Sequence, residues 1–428
     1  MPEPSTKKPF TIAIIGGGLA GLLLAIGLTT RGVPVHIYEA APAFAETSAG
    51  IGFGPNAVRA MTMLDPRIRI AYDKLKTENR WEGKRNTWFD FRLGWGEVPE
   101  FVAELKMDGN EGGGNVLRAR FMEALVALLP EGCAGFGKIL TELEECKNHV
   151  KLTFSDKTTE LADAVVGCDG IRSVVRELLL GKDDQASRAI FSGMYCYRGL
   201  LDMQAAIDAV GGELSLNSQV YMGKDGDVVT YPIEQGSVLN VVAFQKHKDN
   251  DWKYSKWVAD SSHEDLMKDF EEFGEVPKKI LKLLDKTEIW ALFDMPNAAR
   301  YSSKLVALLG DAAHASTSHA GAGAGMAVED ALVLSELISD ARVNIILDLP
   351  AVFAVYDLAR RPRTQKLVQY SRESGMLFQL RKPGAGGDIE KIKVELKDRQ
   401  KWIWDIDIEE HLKDAEAGLG LSLRKSSE

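Results

Sequence analysis

The feature that most narrows what this chain can become is Gly16-Gly17-Gly18-Leu19-Ala20-Gly21, set directly behind the β-branched run FTIAII at 10–15. Gly16, Gly18 and Gly21 are spaced as GxGxxG. The first permits a tight turn out of a strand, the second lets backbone approach a pyrophosphate, and the third lets helix and strand pack closely. A helical stretch at 19–30 and a second strand at 34–38 (PVHIY) follow, so a β-α-β unit closes within the expected length. The N-terminus of that helix carries partial positive charge suited to phosphate. Glu39 ends the second strand, where a carboxylate can take ribose hydroxyls. A glycine-rich turn with no ligand is the competing reading, and its context disfavours it.

Two further bends have the same form. Gly310-Asp311-Ala312-Ala313-His314 follows the apolar run KLVALL and leads through Gly321-Ala322-Gly323-Ala324-Gly325 into a helix expected over 325–340. An Asp at a strand end can accept a ribitol or ribose hydroxyl, and small residues let backbone N–H groups lie near a flat ring or a phosphate. Gly167-Cys168-Asp169-Gly170-Ile171-Arg172-Ser173 follows AVVG, with Arg172 and Arg176 four apart, on one face if a helix follows. A solvated basic face is the ordinary reading of such a pair. Between these bends the texture changes. Residues 81–104 alternate aromatics with charges, and 189–245 hold short aromatic and β-branched runs, as in an open, mostly antiparallel sheet. Residues 110–114 read as a glycine-rich loop, 120–129 and 260–286 as helical, and the tail from 349 as helices broken at 384–387. A nucleotide domain with a second domain threaded through it accounts for this alternation.

Taken in order, GGGLAG, GCDGIRSVVR and GDAAH…GAGAG resemble the class A, single-component FAD-dependent aromatic hydroxylases. IGFGPNAVRAM (51–61), NTWFDFRLG (86–94), YCYRGLL (195–201), VTYPI (229–233) and KWIWDIDIEEHL (401–412) narrow the likeness to fungal salicylate-hydroxylase-like monooxygenases. The resemblance implies an α/β fold: a Rossmann-like FAD-binding domain of the glutathione-reductase and para-hydroxybenzoate-hydroxylase type, an inserted, mostly antiparallel β-sheet substrate domain, and a helical C-terminus. The corresponding boundaries are 1–80, 105–188 and 295–370 for FAD, 81–104 and 189–294 for substrate, and 371–428 for the C-terminal helices.

It also implies roles. Gly16, Gly18, Leu19, Ala20 and Gly21 would line the FAD pyrophosphate, and Glu39 the adenosine ribose. Gly52 and Arg118 would reach the cofactor, and Asp169 would serve FAD and the nicotinamide donor together. Asp311 would take the ribitol side, with Gly321, Ala322, Gly323 and Ala324 over the flavin ring. With no second GxGxxG, NADH or NADPH would visit without a domain of its own. The loop departs from the family pattern at Ser318, where Pro is usual, and at Ala320, where Gln is common. The implied chemistry is insertion of one oxygen atom of O2 into a phenol through a flavin C4a-hydroperoxide, the cofactor carrying the reaction. Salicylate-type hydroxylation leads. Hydroxylative dearomatisation of a polyketide phenol, or an FAD-binding protein without oxygenase activity, are the alternatives.

A phenolate must be stabilised, which favours a cation or a phenol hydroxyl near its oxygen. Arg198, in an apolar run where an unpaired charge is costly, and Tyr231, before Pro232, are the catalytic candidates. His314 and His319 read as packing or backbone-bonding groups. Net charge is −10, which speaks against nucleic acid as a partner. Four cysteines, Cys133, Cys146, Cys168 and Cys196, form no CxxC pair, and no metal-ligand pattern stands out. There is no apolar span or cleavable leader pattern, so a cytoplasmic protein is expected, with a homodimer as one option for its assembly.

Overall fold

The computed structural model describes residues 7–44, 49–108, 113–249, 251–254, 256–285 and 287–426. The expected loop at 110–114 lies outside them except for Gly113 and Gly114, and Gly114 opens the strand Gly114–Leu117. The protein is α/β, with two principal sheets. The first runs in the spatial order Val306–Leu308, Ala164–Gly167, Ile12–Ile15, Val35–Tyr38, Ala134–Gly135, and every neighbouring pair is parallel. Three of its strands, Val306–Leu308, Ala164–Gly167 and Ile12–Ile15, are buried over their whole lengths, which is why they read as uninterrupted apolar runs.

The register decides where the bends go. Ile15 lies opposite both Tyr38 and Gly167, and Gly167 opposite Leu308, so four strands end at one level. The turns after them, including Glu39, therefore gather at the carboxyl edge of a single sheet, where α/β sheets bind ligands.

The second sheet has eight strands, ordered Val258–Ala259, Ile289–Asp294, Ile190–Asp202, Val238–Lys246, Gly226–Ile233, Gln219–Met222, Thr87–Leu93, Phe101–Lys106. All pairs are antiparallel except Gln219–Met222 with Thr87–Leu93. Period-two burial is visible at the centre. Val228, Val241 and Ala243 pack with Tyr197 and Tyr221 in the core beneath the helices His263–Asp269 and Glu275–Leu281. Val229, Tyr231 and Val242 present the other face. The stretch 260–286, expected to be helical, holds these two short helices. The helix expected at 120–129 runs Arg118–Val126, and the one expected at 325–340 runs Gly323–Ser339. C-terminal to it come Leu349–Phe378, Ile389–Leu396, Lys401–Trp404 and Ile408–Ser426.

Arg172 and Arg176 do not share a helical face, because a 3-10 turn, Gly170–Arg172, precedes the helix Val174–Leu180. Arg172 is exposed and stacks on Trp257, 4.2 Å from its ring centre. Arg176 is wholly buried and donates to the carbonyls of Ala186, Ala312, Ala313 and Pro296 at 2.6–3.1 Å. No solvated basic face exists here; one arginine ties two of the bends together. Losing several buried bonds at about 1–3 kcal/mol each, Arg176→Leu is expected to cost at least ~3 kcal/mol in urea unfolding. Arg172→Leu should cost no more than ~1 kcal/mol. Equal losses would contradict the clamp.

Candidate functional site

Three backbones meet at the carboxyl edge. Cys168 N–H donates to Ile15 C=O at 2.7 Å and Leu309 N–H to Gly167 C=O at 2.9 Å. Gly16 has φ +102°, and a Cβ there would lie 2.5 Å from the Cys168 carbonyl oxygen. A Cβ on Gly21 would lie 2.1 Å from Gly16 C=O. These two glycines are required by the protein's own packing. Gly18 is different: a Cβ there meets no atom within 4 Å. It stands at the N-cap of Leu19–Thr30 and opens onto the cavity. That is the glycine a pyrophosphate would need.

The cavity encloses about 330 Å³ between the two sheets. One wall is the bends: Gly18, Leu19, Ala20, Cys168, Gly170, Asp311, and the run Gly321 to Ala324. Gly50, Ile51, Gly52, Asn115 and Arg118 close one side. The opposite wall is mostly apolar and aromatic: Trp88, Phe89, Phe91, Val220, Val229, Tyr231, Val242, Phe244 and Phe378. Of the sequence candidates, Gly16, Gly21, Glu39, Asp169 and Arg198 do not line this cavity. Gly16 and Gly21 sit within the turn. Glu39 accepts from Gly17 N–H at 2.6 Å and Ala41 N–H at 2.7 Å, beyond the turn. Asp169 accepts from Ser173 Oγ and from Val174 and Val175 N–H, so it caps a helix. Burial pushes its carboxyl above the ordinary range despite those bonds.

Tyr231 faces the cavity, and burial raises its phenol, with Arg198 pulling the other way. It stays protonated at neutral pH and can donate. Arg198 lies opposite Val242, on the same sheet face, but its guanidinium stacks on Trp290, 3.4 Å from the ring centre. There an aromatic face supports the cation. Gly50, Tyr231 and Asn240 are packed tightly: Gly50 N–H donates to Asn240 Oδ1 at 2.9 Å, and a Cβ on Gly50 would lie 2.6 Å from the Tyr231 ring.

The loop with Ser318 and Ala320 is held without proline. Ser371 Oγ donates to Thr317 C=O at 2.5 Å and accepts from Thr317 Oγ1 and Ala320 N–H at 3.0 and 3.1 Å. His319 is clamped between Phe244 and Gly375, where a Cβ would lie 3.0 Å from the imidazole. Behind the loop lies a buried charge cluster that sequence reading missed. Asp330 Oδ2 takes His314 Nε2 at 2.6 Å and Oδ1 takes Arg360 Nε at 2.7 Å. Glu329 takes Arg360, Arg363 and Asn56. Burial opposes both ionised acids, but the neighbouring cations outweigh it and hold each carboxyl at about 2. His314 is therefore a strut between a bend and the helix Gly323–Ser339. Acids at adjacent positions, with arginines three apart in a later helix, were the available signal. Among the described residues no cluster of three acidic, His or Cys groups could hold a metal, and no helix is long and apolar enough to cross a membrane.

Residues 134–371 match the family of FAD binding domains. The chain is 40% identical over 410 residues to 6-methylsalicylate 1-monooxygenase of Aspergillus terreus, covering 95% of this chain and 91% of that one. It is 36% identical to salicylate hydroxylase of Pseudomonas putida, covering 97% of each. A solved salicylate hydroxylase substrate complex superimposes with TM-score 0.85 at 33% identity, covering 96% of this chain and 98% of the other. The chain belongs to the FAD-dependent aromatic monooxygenases of the salicylate hydroxylase type. For this monooxygenase the fit to FAD is geometric: Gly18 leaves room at a helix N-terminus, and Asp311 presents an exposed carboxylate at the same cavity.

Two outcomes are expected. Gly18→Ala should fold normally yet weaken FAD at least ~tenfold, about 1.4 kcal/mol, whereas Gly21→Ala should fail to give folded protein; a fully FAD-competent Gly18→Ala would contradict the site. Burial, aided by the Arg360 charge, lowers His411 to about 4 from an ordinary 6.5, and its Nε2 accepts from Arg360 Nη1 at 3.3 Å. The unfolded chain then binds the extra proton first, so stability is held above pH 6.5 and falls as pH drops toward 4. The carboxylates Glu329 and Asp330 add a further loss only from their ordinary range down to about 2. Urea unfolding of His411→Gln should show a flatter pH 6.5-to-4 segment than the wild type, and an unchanged slope would refute this.

Proposed function

We propose that this monooxygenase hydroxylates a phenolic aromatic acid of the salicylate type, using O2 and, as transient electron donor, NADH or NADPH. One observation carries the reading: a single cavity has the glycine bends as one wall and an aromatic sheet face as the other. A flat ring bound on that face lies beside a cofactor bound on the bends. Overall, salicylate, O2, NAD(P)H and two protons would give catechol, carbon dioxide, water and NAD(P)+. When bound, FAD supplies the redox chemistry, taking two electrons from the donor and activating O2.

The chain's own contribution is placement and electrostatics. Gly18, Leu19 and Ala20 would receive the pyrophosphate at the helix N-terminus, and Glu39 the adenosine ribose by exchanging its bond to Gly17. Asp311 would hold the ribitol, Arg118 and Gly52 would flank the flavin, and Gly321 to Ala324 would cover it. Phe89, Phe91, Phe244 and Phe378 would hold the substrate ring and exclude water. Tyr231 would donate to the substrate oxygen as charge grows on it. Arg198 would act through its field on Tyr231, from its seat on Trp290, as a positioning residue.

The test is anaerobic mixing of reconstituted enzyme with NADH and NADPH, with and without salicylate, followed by product analysis after oxygen is admitted. Flavin bleaching accelerated by salicylate, then catechol and carbon dioxide, is expected. A quinol from a resorcinol-type aldehyde would favour dearomatisation instead, and no bleaching under any condition would leave only a non-oxygenase FAD protein. Tyr231→Phe should lower coupled kcat roughly 10²- to 10³-fold with little change in FAD affinity. Arg198→Gln should lower coupled kcat by less than Tyr231→Phe does, and Arg198→Lys, which keeps the charge, should restore it. Unaltered coupled hydroxylation in Tyr231→Phe and Arg198→Gln would remove both residues from the mechanism.

A further inference from the structure

Asn115 lines the cavity, and no described residue hydrogen-bonds its side chain. It sits in the strand Gly114–Leu117, opposite Gly52 in register. Its backbone is pinned to Thr77: its N–H donates to Thr77 C=O at 2.9 Å, and its carbonyl accepts from Thr77 N–H at 2.7 Å. Val116 beside it turns into the hydrophobic core, so the alternation of the strand sends Asn115 the other way, to the cavity. The residue is only 8% exposed. Both ends of its amide nevertheless keep open surface, for neither is among the unpartnered polar atoms sealed inside the protein. Asn115 Oδ1 lies 2.9 Å from where a Cβ on Gly52 would be, and Trp88 Cη2 lies 2.8 Å from the same point. The Trp88 ring also lies 3.2 Å from where a Cβ on Gly321 would be. The amide thus opens between the strand Gly50–Phe53 and the Gly321 turn.

A nearly buried carboxamide with neither end paired is an exception in a folded protein and calls for a partner. The protein supplies none, whereas a molecule in the cavity can reach it. An amide sets one acceptor beside one donor. It pairs best with a ring edge that sets N–H beside C=O. A carboxylate has no proton to give and would leave Oδ1 unanswered. The pyrimidine edge of a flavin, an imide N–H between two carbonyls, answers both ends. Gly52, across the strand pair, and Gly321, across Trp88, are the positions that would flank and cover that ring. We infer that Asn115 is a cofactor-specificity residue that reads the imide edge of the flavin, Oδ1 accepting from its N–H and Nδ2 donating to a neighbouring carbonyl. The inference rests on the reading that FAD binds on the bends with its ring beneath Gly321 to Ala324. Leucine has the same branched shape, so packing alone would not select an amide at this position.

The test uses apoprotein reconstituted with FAD and with 3-methyl-FAD, in which a methyl group replaces the imide proton. Dissociation constants are read from the change in flavin fluorescence on binding. The wild type should bind FAD more tightly than 3-methyl-FAD. Asn115→Leu should shrink that preference roughly 5- to 150-fold, and Asn115→Ala repeats the measurement should leucine disturb the strand pair. Asn115→Asp, which keeps an acceptor for the imide proton, should retain most of the preference. An undiminished preference in both Asn115→Leu and Asn115→Ala overturns the inference. So does a wild type that binds the two flavins equally, a result that leaves the FAD reading standing. A loss of salicylate affinity in Asn115→Leu with the flavin preference intact assigns the amide to the substrate and overturns it as well. If neither flavin binds the wild type, the cofactor reading itself fails, and this one falls with it.

Discussion

Everything in the site hangs on how closely the Gly16 turn lies against the Cys168 turn. The strands behind them pair in parallel register and stop together, and the first turn has no room for a side chain. Once those two backbones touch, the helix Leu19–Thr30 points its N-terminus into a fixed place, and the third bend follows through Leu309 and Gly167. Arg176 then draws the Asp311 turn toward the Cys168 turn by binding four carbonyls. Parallel β-structure, steric exclusion and one buried guanidinium thus convert three distant stretches of sequence into one surface.

A second constraint acts from behind. The helix Gly323–Ser339 begins in the cavity wall and carries Glu329 and Asp330 inside the protein. Arg360 and Arg363 of the next helix neutralise them, and His314 links Asp330 back to the bend. Such a cluster contributes little net stability compared with apolar packing, but removing one partner strands a buried charge. Its value is in fixing the relative positions of the loop, the long helix Leu349–Phe378 and the C-terminal helix that supplies His411. The C-terminal helices are therefore part of the site's construction, and through Gln400 they reach the cavity itself.

Much of this was legible in the sequence because local chemistry and position coincide there. GxGxxG behind a β-branched run fixes a strand, a turn and a helix at once, and the same holds for GDAAH behind KLVALL. The apolar run at 304–309 and the short aromatic and β-branched runs within 189–245 gave their strands for the same reason. What escaped needed tertiary partners. Arg176 reads like any surface arginine, since nothing local says that four carbonyls wait for it. Arg198 shows in the sequence as a charge in an apolar run, but not that Trp290, far along the chain and on the neighbouring strand, supplies a ring beneath it. Gln400, in a charged stretch near the C-terminus, carries no signal until Ala320 is seen beside it. Residues on the sheet face, such as Phe91 and Val242, show their period but not what lies opposite.

The most direct measurement is a crystal structure of the purified protein grown with FAD and salicylate. One cofactor per chain is expected, its pyrophosphate at the N-terminus of Leu19–Thr30, its ring beneath Gly321 to Ala324, and the salicylate ring between it and the sheet face of Tyr231 and Phe244. Cofactor density elsewhere, or a colourless protein with Gly16, Cys168 and Asp311 far apart, would contradict the shared origin of these bends in one binding surface.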